Sequence, residues 1–234
     1  CLVVEWSRMR ALSGDIQGTL RMWNLALGAP IRELRRHRDA VKCLAADWCQ
    51  QRALSGSSDG TLRLWALDSG EVLRVLQGGH HDILFCVAVD WASQRALSGS
   101  DESLILWDLR QGRELLELSG HEGAVLRLDV DWAADRAVSA SADGTLCLWD
   151  LSLGTVVRML RGEEDDPVCA VAVDWLAQRA FTGRRDGSLQ LWDLETGESL
   201  FKQRGHSSAV LCVAYQYASS NGTRATVGML PAVA

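Results

Sequence analysis

The chain of 234 residues lacks the features that mark several common functional classes. No apolar run approaches the roughly 18 to 20 residues that a membrane span needs, so we predict no contact with membranes. The formal net charge is -6, whereas a nucleic-acid groove needs clustered Lys and Arg. The basic run at residues 35–38 is too short to reverse that balance. We therefore predict no nucleic-acid partner.

Cysteine is present without any paired pattern. The seven cysteines are scattered, with neither Cys-x-x-Cys nor His at zinc spacing. This usage favours a reducing compartment, and no signal-peptide pattern precedes the repeat described below. We expect an intracellular protein, cytoplasmic or nuclear, with no metal and no cofactor.

Tryptophan, by contrast, is abundant and follows an internal repeat. One series recurs every 42 or 43 residues, at Trp23, Trp65, Trp107, Trp149 and Trp192. A second series keeps step with it, at Trp6, Trp48, Trp91, Trp132 and Trp175. A period of this length indicates a propeller or a solenoid.

Each repeat has the periodicity of β-strands. In the second repeat we predict strands at residues 41–47, 52–57, 61–67 and 71–76, separated by Gly-containing turns. Residues 61–67 alternate, with Leu62 and Leu64 on one face and Trp65 on the other. No segment has the period or the length of a helix. The predicted class is all-β, built from four-stranded antiparallel blades.

The segment GHEGAVLRLDVDW at 120–132, followed by SASADGTLCLWD at 139–150, resembles the glycine-histidine to tryptophan-aspartate unit of the WD40 repeat. The resemblance implies a β-propeller. It also implies a buried tetrad of histidine, serine or threonine, aspartate and tryptophan. Indole would donate to hydroxyl, hydroxyl to imidazole and imidazole to carboxylate, so that each polar group is satisfied.

Carried over by position, the resemblance implies two complete tetrads, namely His37, Ser55, Asp59 and Trp65, and His121, Ser139, Asp143 and Trp149. The third repeat offers His80, Ser98, Asp101 and Trp107. Its turn is one residue short and lacks glycine, which makes the position of Ser98 the weakest of these assignments. The fifth repeat offers Thr182, Asp186 and Trp192, with Glu164 at the histidine position. The first repeat has Gln17 where aspartate is expected.

Residues 1–234 are therefore expected to form one WD40 domain with five complete blades and a partial sixth. The expected blades are approximately 1–36, 37–79, 80–120, 121–161 and 162–204, with 205–234 as the partial unit. The sixth unit begins at Gly205-His206 and has an apolar strand at 209–215, after which residues 219–234 lose the pattern. Because WD40 rings usually close with about seven blades, we expect a fragment of a longer chain or a truncated product.

Ser, His and Asp recur together, which imitates a catalytic triad. The string at residues 56–60 fits G-x-S-x-G, but that motif needs a helix after the turn, and here a strand follows. An enzyme also needs one site, whereas this arrangement is repeated. We predict no catalytic residues and no small-molecule substrate.

Two further motifs could suggest metal ligands. His80-His81-Asp82 has adjacent side chains that would point apart. The acidic run at 163–166 lacks the alternating spacing of a calcium loop. We predict no metal site at either place.

The fifth repeat departs most from the pattern. Glu163 and Glu164 occupy its histidine-position loop, and Arg184 and Arg185 occupy its second turn. Either an ion pair between these loops replaces the missing histidine, which we favour, or the four residues form a partner-binding patch. The predicted function is a scaffold or adaptor that binds a protein or peptide. The alternative is a regulatory propeller of a larger enzyme or signalling protein whose catalytic domain lies outside this chain.

Overall fold

The structure is a computed structural model and describes residues 1–80, 82–162 and 165–214. The chain divides into two compact units, residues 1–117 and the residues from Leu118 onward. Within the described ranges the regular structure is β-strand, apart from one 3-10 helix at Trp6–Arg8. No helix in those ranges has the length and apolar character needed to cross a membrane.

The first unit contains three antiparallel sheets, each with four strands in chain order. The first sheet is β1 (Leu2–Glu5), β2 (Arg10–Gly14), β3 (Thr19–Asn24) and β4 (Ala29–Arg35). The second is β5 (Val41–Asp47), β6 (Arg52–Ser57), β7 (Leu62–Ala66) and β8 (Val72–Leu76). The third is β9 (Cys86–Asp90), β10 (Arg95–Gly99), β11 (Ser103–Asp108) and β12 (Arg113–Ser119), whose last residues cross the division.

The second unit contains two sheets of the same kind. The fourth sheet is β13 (Val125–Asp131), β14 (Arg136–Ser141), β15 (Thr145–Asp150) and β16 (Thr155–Arg161). The fifth is β17 (Val168–Asp174), β18 (Arg179–Arg184), β19 (Ser188–Asp193) and β20 (Ser199–Arg204).

The strand predicted at 209–215 is not formed over residues 209–214. The residues from 215 onward lie outside the described residues. A strand needs a hydrogen-bonded neighbour, and residues 219–234 lack the turn and the tryptophan that mark such strands in the other repeats.

The aspartate that follows the repeated tryptophan has a local structural role. Asp150 Oδ1 accepts the backbone N–H groups of Ser152 at 2.9 Å and Leu153 at 3.0 Å. Asp193 does the same for residues 195 and 196, at 2.9 Å each. These side-chain to backbone bonds close the turn that leads into the fourth strand of the fourth and fifth sheets.

Strand register brings the tryptophan beside the serine. In the second sheet Trp65 lies opposite Ala53, and Ser55 lies two residues farther along β6, on the same face. The equivalent pairs are Ala11 and Trp23, Ala96 and Trp107, Ala137 and Trp149, and Ala180 and Trp192. A small residue opposite the indole leaves room for the ring, and the diagonal neighbour is within reach of its N–H group.

Each sheet has an aliphatic face, here called the leucine face, and a second face that carries the tryptophan, the tryptophan face. In the second sheet the leucine face includes Leu54, Leu62 and Leu64, and it packs on Ala96, Trp107 and Leu109 of the third sheet. The first sheet packs in the same way on the second, through Leu12, Leu20 and Met22 against Ala53, Trp65 and Leu67. In the second unit Val138, Leu146 and Leu148 pack on Ala180, Trp192 and Leu194. The core of each unit is thus one repeated contact between faces.

Removing one leucine from this contact should be costly. Leu54→Ala, at a side chain with 0% exposure, should lower the free energy of unfolding by about 2 to 5 kcal/mol through lost burial and the cavity left behind. Leu73→Ala, at a side chain with 49% exposure, should change it by less than about 0.5 kcal/mol. Urea denaturation of both variants measures the difference, and equal losses would contradict the assigned core.

Candidate functional site

In the second sheet four side chains form one buried hydrogen-bonded chain. Trp65 Nε1 donates to Ser55 Oγ at 2.8 Å, and Ser55 Oγ lies 2.7 Å from His37 Nε2. His37 Nδ1 lies 2.9 Å from Asp59 Oδ2. Because a carboxylate only accepts, Nδ1 carries the proton and Nε2 accepts from the serine hydroxyl. Every polar group of these four side chains that takes part in the network therefore has a hydrogen-bond partner.

The fourth sheet repeats this arrangement. Trp149 Nε1 donates to Ser139 Oγ at 2.7 Å, and His121 joins Ser139 at 2.7 Å and Asp143 at 2.9 Å. Burial lowers the pKa of His121, and that of His37 in the second sheet, although the neighbouring aspartate raises each in part. Both imidazoles are therefore neutral at physiological pH.

The aspartate of each tetrad connects two loops. Asp59 accepts the backbone N–H of Arg38 at 2.9 Å, which lies in the loop before β5, and that of Thr61 at 3.0 Å. It also accepts the Thr61 hydroxyl at 2.6 Å. Burial opposes ionisation of Asp59, but bonds from Thr61, the Arg38 backbone and His37 outweigh it and lower its pKa to about 2. The ionised carboxylate thus holds the loop before the sheet against the turn between its second and third strands.

The third sheet keeps only part of the tetrad. Trp107 Nε1 donates to Ser98 Oγ at 2.8 Å, and His80 Nε2 lies 2.7 Å from the same oxygen, so Ser98 holds its place despite the shortened turn. No hydrogen bond joins His80 to Asp101 within the described residues. Burial and the nearby carboxylates of Asp82 and Glu102 raise the pKa of Asp101. The missing turn residue moves this aspartate out of its role, and His81 lies outside the described residues.

The first sheet replaces the missing partners with charge. Trp23 Nε1 donates to Ser13 Oγ at 2.8 Å, as in the other sheets. Asp15 accepts the backbone N–H groups of Gln17 and Thr19 at 2.9 Å each, and it pairs with Arg21 at 2.9 Å. Sequence reasoning considered Gln17 and missed Asp15. The signal was available, since Asp15 is an acidic residue two positions after the repeated serine.

In the fifth sheet the geometry corrects the prediction for Arg184. Its side chain is only 1% exposed, so it is not a contact for a partner. The guanidinium donates to Gln190 Oε1 at 3.2 Å and to the carbonyls of Asp166 at 3.1 Å and Gly144 at 3.4 Å. In the second sheet Ser57 makes the equivalent bond to a loop carbonyl, that of Asp39, at 2.9 Å. Arg184 therefore donates to the equivalent loop carbonyl, as that serine does, through a longer side chain.

The other predicted residues of the fifth repeat differ in their exposure and in the hydrogen bonds that they make. Trp192 Nε1 donates to Thr182 Oγ1 at 3.3 Å. Asp186 accepts the backbone N–H of Ser188 at 2.8 Å and so shapes its own turn. Arg185 is exposed. Glu163 and Glu164 lie outside the described residues.

The tetrads have the chemistry of structural groups. Ser55 and Ser139 are 0% exposed, so no substrate reaches their hydroxyls. Residues 56–60 lead into strand β7, and a nucleophile elbow would lead into a helix. Burial, with a contribution from Asp143, raises the pKa of the Cys147 thiol to about 12, which keeps it protonated and unreactive.

Exposed charges differ between the loops that the tetrads hold. We call the loops before each first strand, together with the turns between second and third strands, the loop face. On the second sheet the loop face carries the exposed Arg36 and Arg38, and on the third sheet it carries the exposed Asp82 and Glu102. Burial lowers the pKa of Arg63, and the nearby charges of Arg38 and Arg36 lower it further. The hydrogen bond from the buried tryptophan to a serine or threonine hydroxyl repeats in all five described sheets, whereas the exposed charges differ.

Comparison with known proteins agrees with this architecture. The WD40 family model (WD domain, G-beta repeat) matches residues 28–66, 70–108, 112–150 and 154–193. The chain belongs to the WD40 repeat family. Each matched segment runs from the fourth strand of one sheet to the third strand of the next, so a repeat in sequence spans two sheets.

Among solved structures, the chain resembles the computationally designed Ika8 protein, with 26% identity and a TM-score of 0.76. The match covers 93% of this chain and 65% of the designed one. No curated protein matches. WD40 domains are generally protein-binding scaffolds and are typically non-catalytic.

The tetrad serine should contribute to stability. Ser55→Ala removes the acceptor of the Trp65 indole and the donor to His37, leaving two buried groups unsatisfied. The free energy of unfolding should fall by about 1 to 3 kcal/mol. Ser7→Ala, at an exposed position of the same unit, should change it by less than about 0.5 kcal/mol. Urea denaturation monitored by tryptophan fluorescence compares them, and a Ser55→Ala variant as stable as the Ser7→Ala variant would refute the framework role.

Stability should also fall in mild acid. The folded-state pKa values of His37 and His121 lie below the ordinary 6.5, so near pH 6 the unfolded chain binds more protons than the folded chain. The free energy of unfolding therefore rises with pH in this range and drops as pH falls from about 7 to about 5. Asp59, whose pKa of about 2 lies below the ordinary 3.8, adds a further loss as pH falls through that lower range.

Urea midpoints at several pH values measure this dependence. His37→Gln removes one titrating group and should flatten the profile, although it also lowers stability overall. Ser7→Ala, at an exposed position and with no titrating group removed, should leave the slope unchanged. A wild-type profile that is flat between about pH 5 and 7 would contradict the neutral, buried state of the imidazoles.

Proposed function

We propose that this chain is a scaffold that binds a protein or peptide partner through the loop face. The supporting observation is that the bond between a buried tryptophan and a serine or threonine hydroxyl repeats between the described sheets, while the exposed charges do not. A framework of this kind holds loops in fixed positions, and rigid positioning reduces the entropy lost on binding. The cysteines, none of which forms a disulfide, suit an intracellular, reducing compartment.

In the first unit the loop face carries charges of both signs on neighbouring sheets. Arg36 and Arg38 offer guanidinium groups to an acidic segment of a partner, and Asp82 and Glu102 offer carboxylates to a basic one. Such a surface favours a partner segment with charges of both signs, in one orientation, because reversing the segment would place like charges together. Arg185, with Glu122, supplies exposed charge to the loop face of the second unit.

Charge reversal on the loop face tests this proposal. Arg36→Glu/Arg38→Glu should reduce the capture of the specific partner about tenfold or more, because both favourable contacts become repulsive. The matched control is Arg110→Glu/Arg113→Glu, which reverses two exposed arginines around the turn between β11 and β12. The measurement is quantitative mass spectrometry of proteins captured by the tagged chain, after circular dichroism has shown that both variants are folded.

The proposal requires a partner that is lost with the loop-face variant and retained with the control. Asp82→Lys/Glu102→Lys should also lose it. Partners that are captured equally by all variants would place binding elsewhere. If the partner is lost only with the Arg110→Glu/Arg113→Glu control, the binding surface lies instead at the turns between third and fourth strands.

A further inference from the structure

Arg63 occupies in the third strand of the second sheet the position that Arg21 occupies in the first sheet, two residues before the repeated tryptophan. Arg21 is neutralised. It pairs with Asp15 and with Glu33, the residue opposite it on β4, at 2.9 Å each. The residue opposite Arg63 on β8 is Val75. Arg63 therefore lacks the carboxylate that Arg21 has on the neighbouring fourth strand.

The tetrad beside Arg63 does not supply the missing acceptor. The Nε atom of Arg63 lies 3.3 Å from His37 Nδ1, but that nitrogen carries the proton donated to Asp59 and cannot accept another. Asp59 already accepts four hydrogen bonds, two on each oxygen, and a carboxylate has about four such positions. Within the described ranges the guanidinium of Arg63 therefore has no hydrogen-bond acceptor, although its side chain is partly buried.

Two further arginines lie beside the same histidine. Arg36 and Arg38 are the chain neighbours of His37, and both are exposed. The backbone N–H of Arg38 is held by Asp59 Oδ2, the oxygen that also accepts from His37. Burial lowers the pKa of Arg63, and the further decrease caused by these two arginines shows that their charges are close to it. No carboxylate pairs with either side chain among the described residues, so three guanidinium groups converge beside one tetrad.

The net charge of this group determines which anion it fits. Among the described carboxylates, Asp59 is the one whose charge raises the pKa of Arg63 in part. Asp59 is ionised, with a pKa of about 2, and His37 is neutral because burial lowers its pKa. Three guanidinium charges and one carboxylate charge leave two positive charges in excess. A phosphate monoester carries a charge of about -1.5 to -2 at pH 7, and its three oxygens accept from several guanidinium groups at once. A single carboxylate would leave one positive charge unbalanced.

We propose that Arg36, Arg38 and Arg63 bind the phosphate group of a phosphorylated side chain in a protein partner. This inference rests on the proposed function, because it names the chemical class of the segment that the loop face of the second sheet binds. A nucleic-acid strand fits the surface less well, since the chain has a net charge of -6 and the neighbouring loop face carries Asp82 and Glu102. Those carboxylates suit basic residues in the same phosphorylated segment.

An array of phosphorylated peptides, each paired with its unphosphorylated form, tests the proposal on the full chain. The wild-type chain should bind a subset of the phosphorylated peptides and none of their unphosphorylated counterparts. The peptide that binds best, labelled with a fluorophore, then gives a Kd by fluorescence anisotropy. Arg63→Gln should raise this Kd about tenfold or more, because it removes a charge-assisted hydrogen bond to the phosphate.

Val75→Glu is the sharper variant because it leaves every arginine in place. The new glutamate would stand opposite Arg63 as Glu33 stands opposite Arg21, so it should pair with the guanidinium and raise the Kd about tenfold or more. The matched control is Leu115→Glu, which adds the same charge to the fourth strand of the third sheet and should keep the wild-type Kd. The two replaced side chains are 41% and 39% exposed, respectively. Circular dichroism checks that both variants are folded.

Three results would overturn the inference. The first is an array in which no phosphorylated peptide binds better than its counterpart. The second is a Val75→Glu variant that binds the peptide as tightly as wild type. The third is binding of single-stranded DNA as tight as that of the peptide, which would assign the arginines to a nucleic acid.

Phosphatase treatment of the lysate used for capture separates this inference from the proposed function. A partner that is lost with Arg36→Glu/Arg38→Glu, but is still captured after phosphatase treatment, would overturn the inference and leave the proposed function in place. Phosphate-dependent binding of peptides, with no captured partner lost in that variant, would support the inference and contradict the proposed function. A partner lost both with the variant and after phosphatase treatment is the result that we expect.

Discussion

The contact between a leucine face and a tryptophan face is the interaction on which the remaining structure depends. One four-stranded sheet cannot bury both of its faces, so each sheet relies on its neighbours for a dry interior. The contact between the first and second sheets, through Leu12 and Trp65, recurs between the second and third sheets. It also recurs in the second unit between the fourth and fifth. The regular spacing of the tryptophans along the sequence reflects this repeated contact.

The tetrads support that contact because they connect the N–H group of a buried tryptophan to the neighbouring loop through hydrogen bonds. Trp65 gives its N–H to Ser55, and His37 carries the connection on to Asp59, which accepts from the loop backbone. The polar groups of this tetrad are satisfied, and the loop stays in place without constraint on its exposed residues. The exposed charges can then differ between repeats while the tryptophan–hydroxyl bond is kept, which is the division of roles expected of a binding scaffold.

Sequence alone predicted the framework better than its exceptions. The strands predicted at 41–47 and 52–57 coincide with β5 and β6, because alternation and turn residues are local signals. For Arg184 the sequence suggested either an ion pair with the acidic loop, which was favoured, or a partner-binding patch, and it did not predict the bond to the Gly144 carbonyl of the preceding repeat or the burial of the side chain. The shortened turn at Asp101 led to the opposite error, because it cast doubt on the position of Ser98, and Ser98 keeps its hydrogen bonds. Ser98 is placed by strand register, which a change in the turn does not alter.

Amide hydrogen exchange followed by mass spectrometry tests most directly the dependence of each sheet on its neighbours. The second sheet has both faces covered within the first unit, whereas the tryptophan face of the first sheet is open. Backbone amides of β6 and β7 should therefore exchange more slowly than those of β2 and β3, which occupy the same positions in the first sheet. Equal protection of the two pairs of strands would contradict the account, because it would show that a sheet is stable without a neighbour on each face.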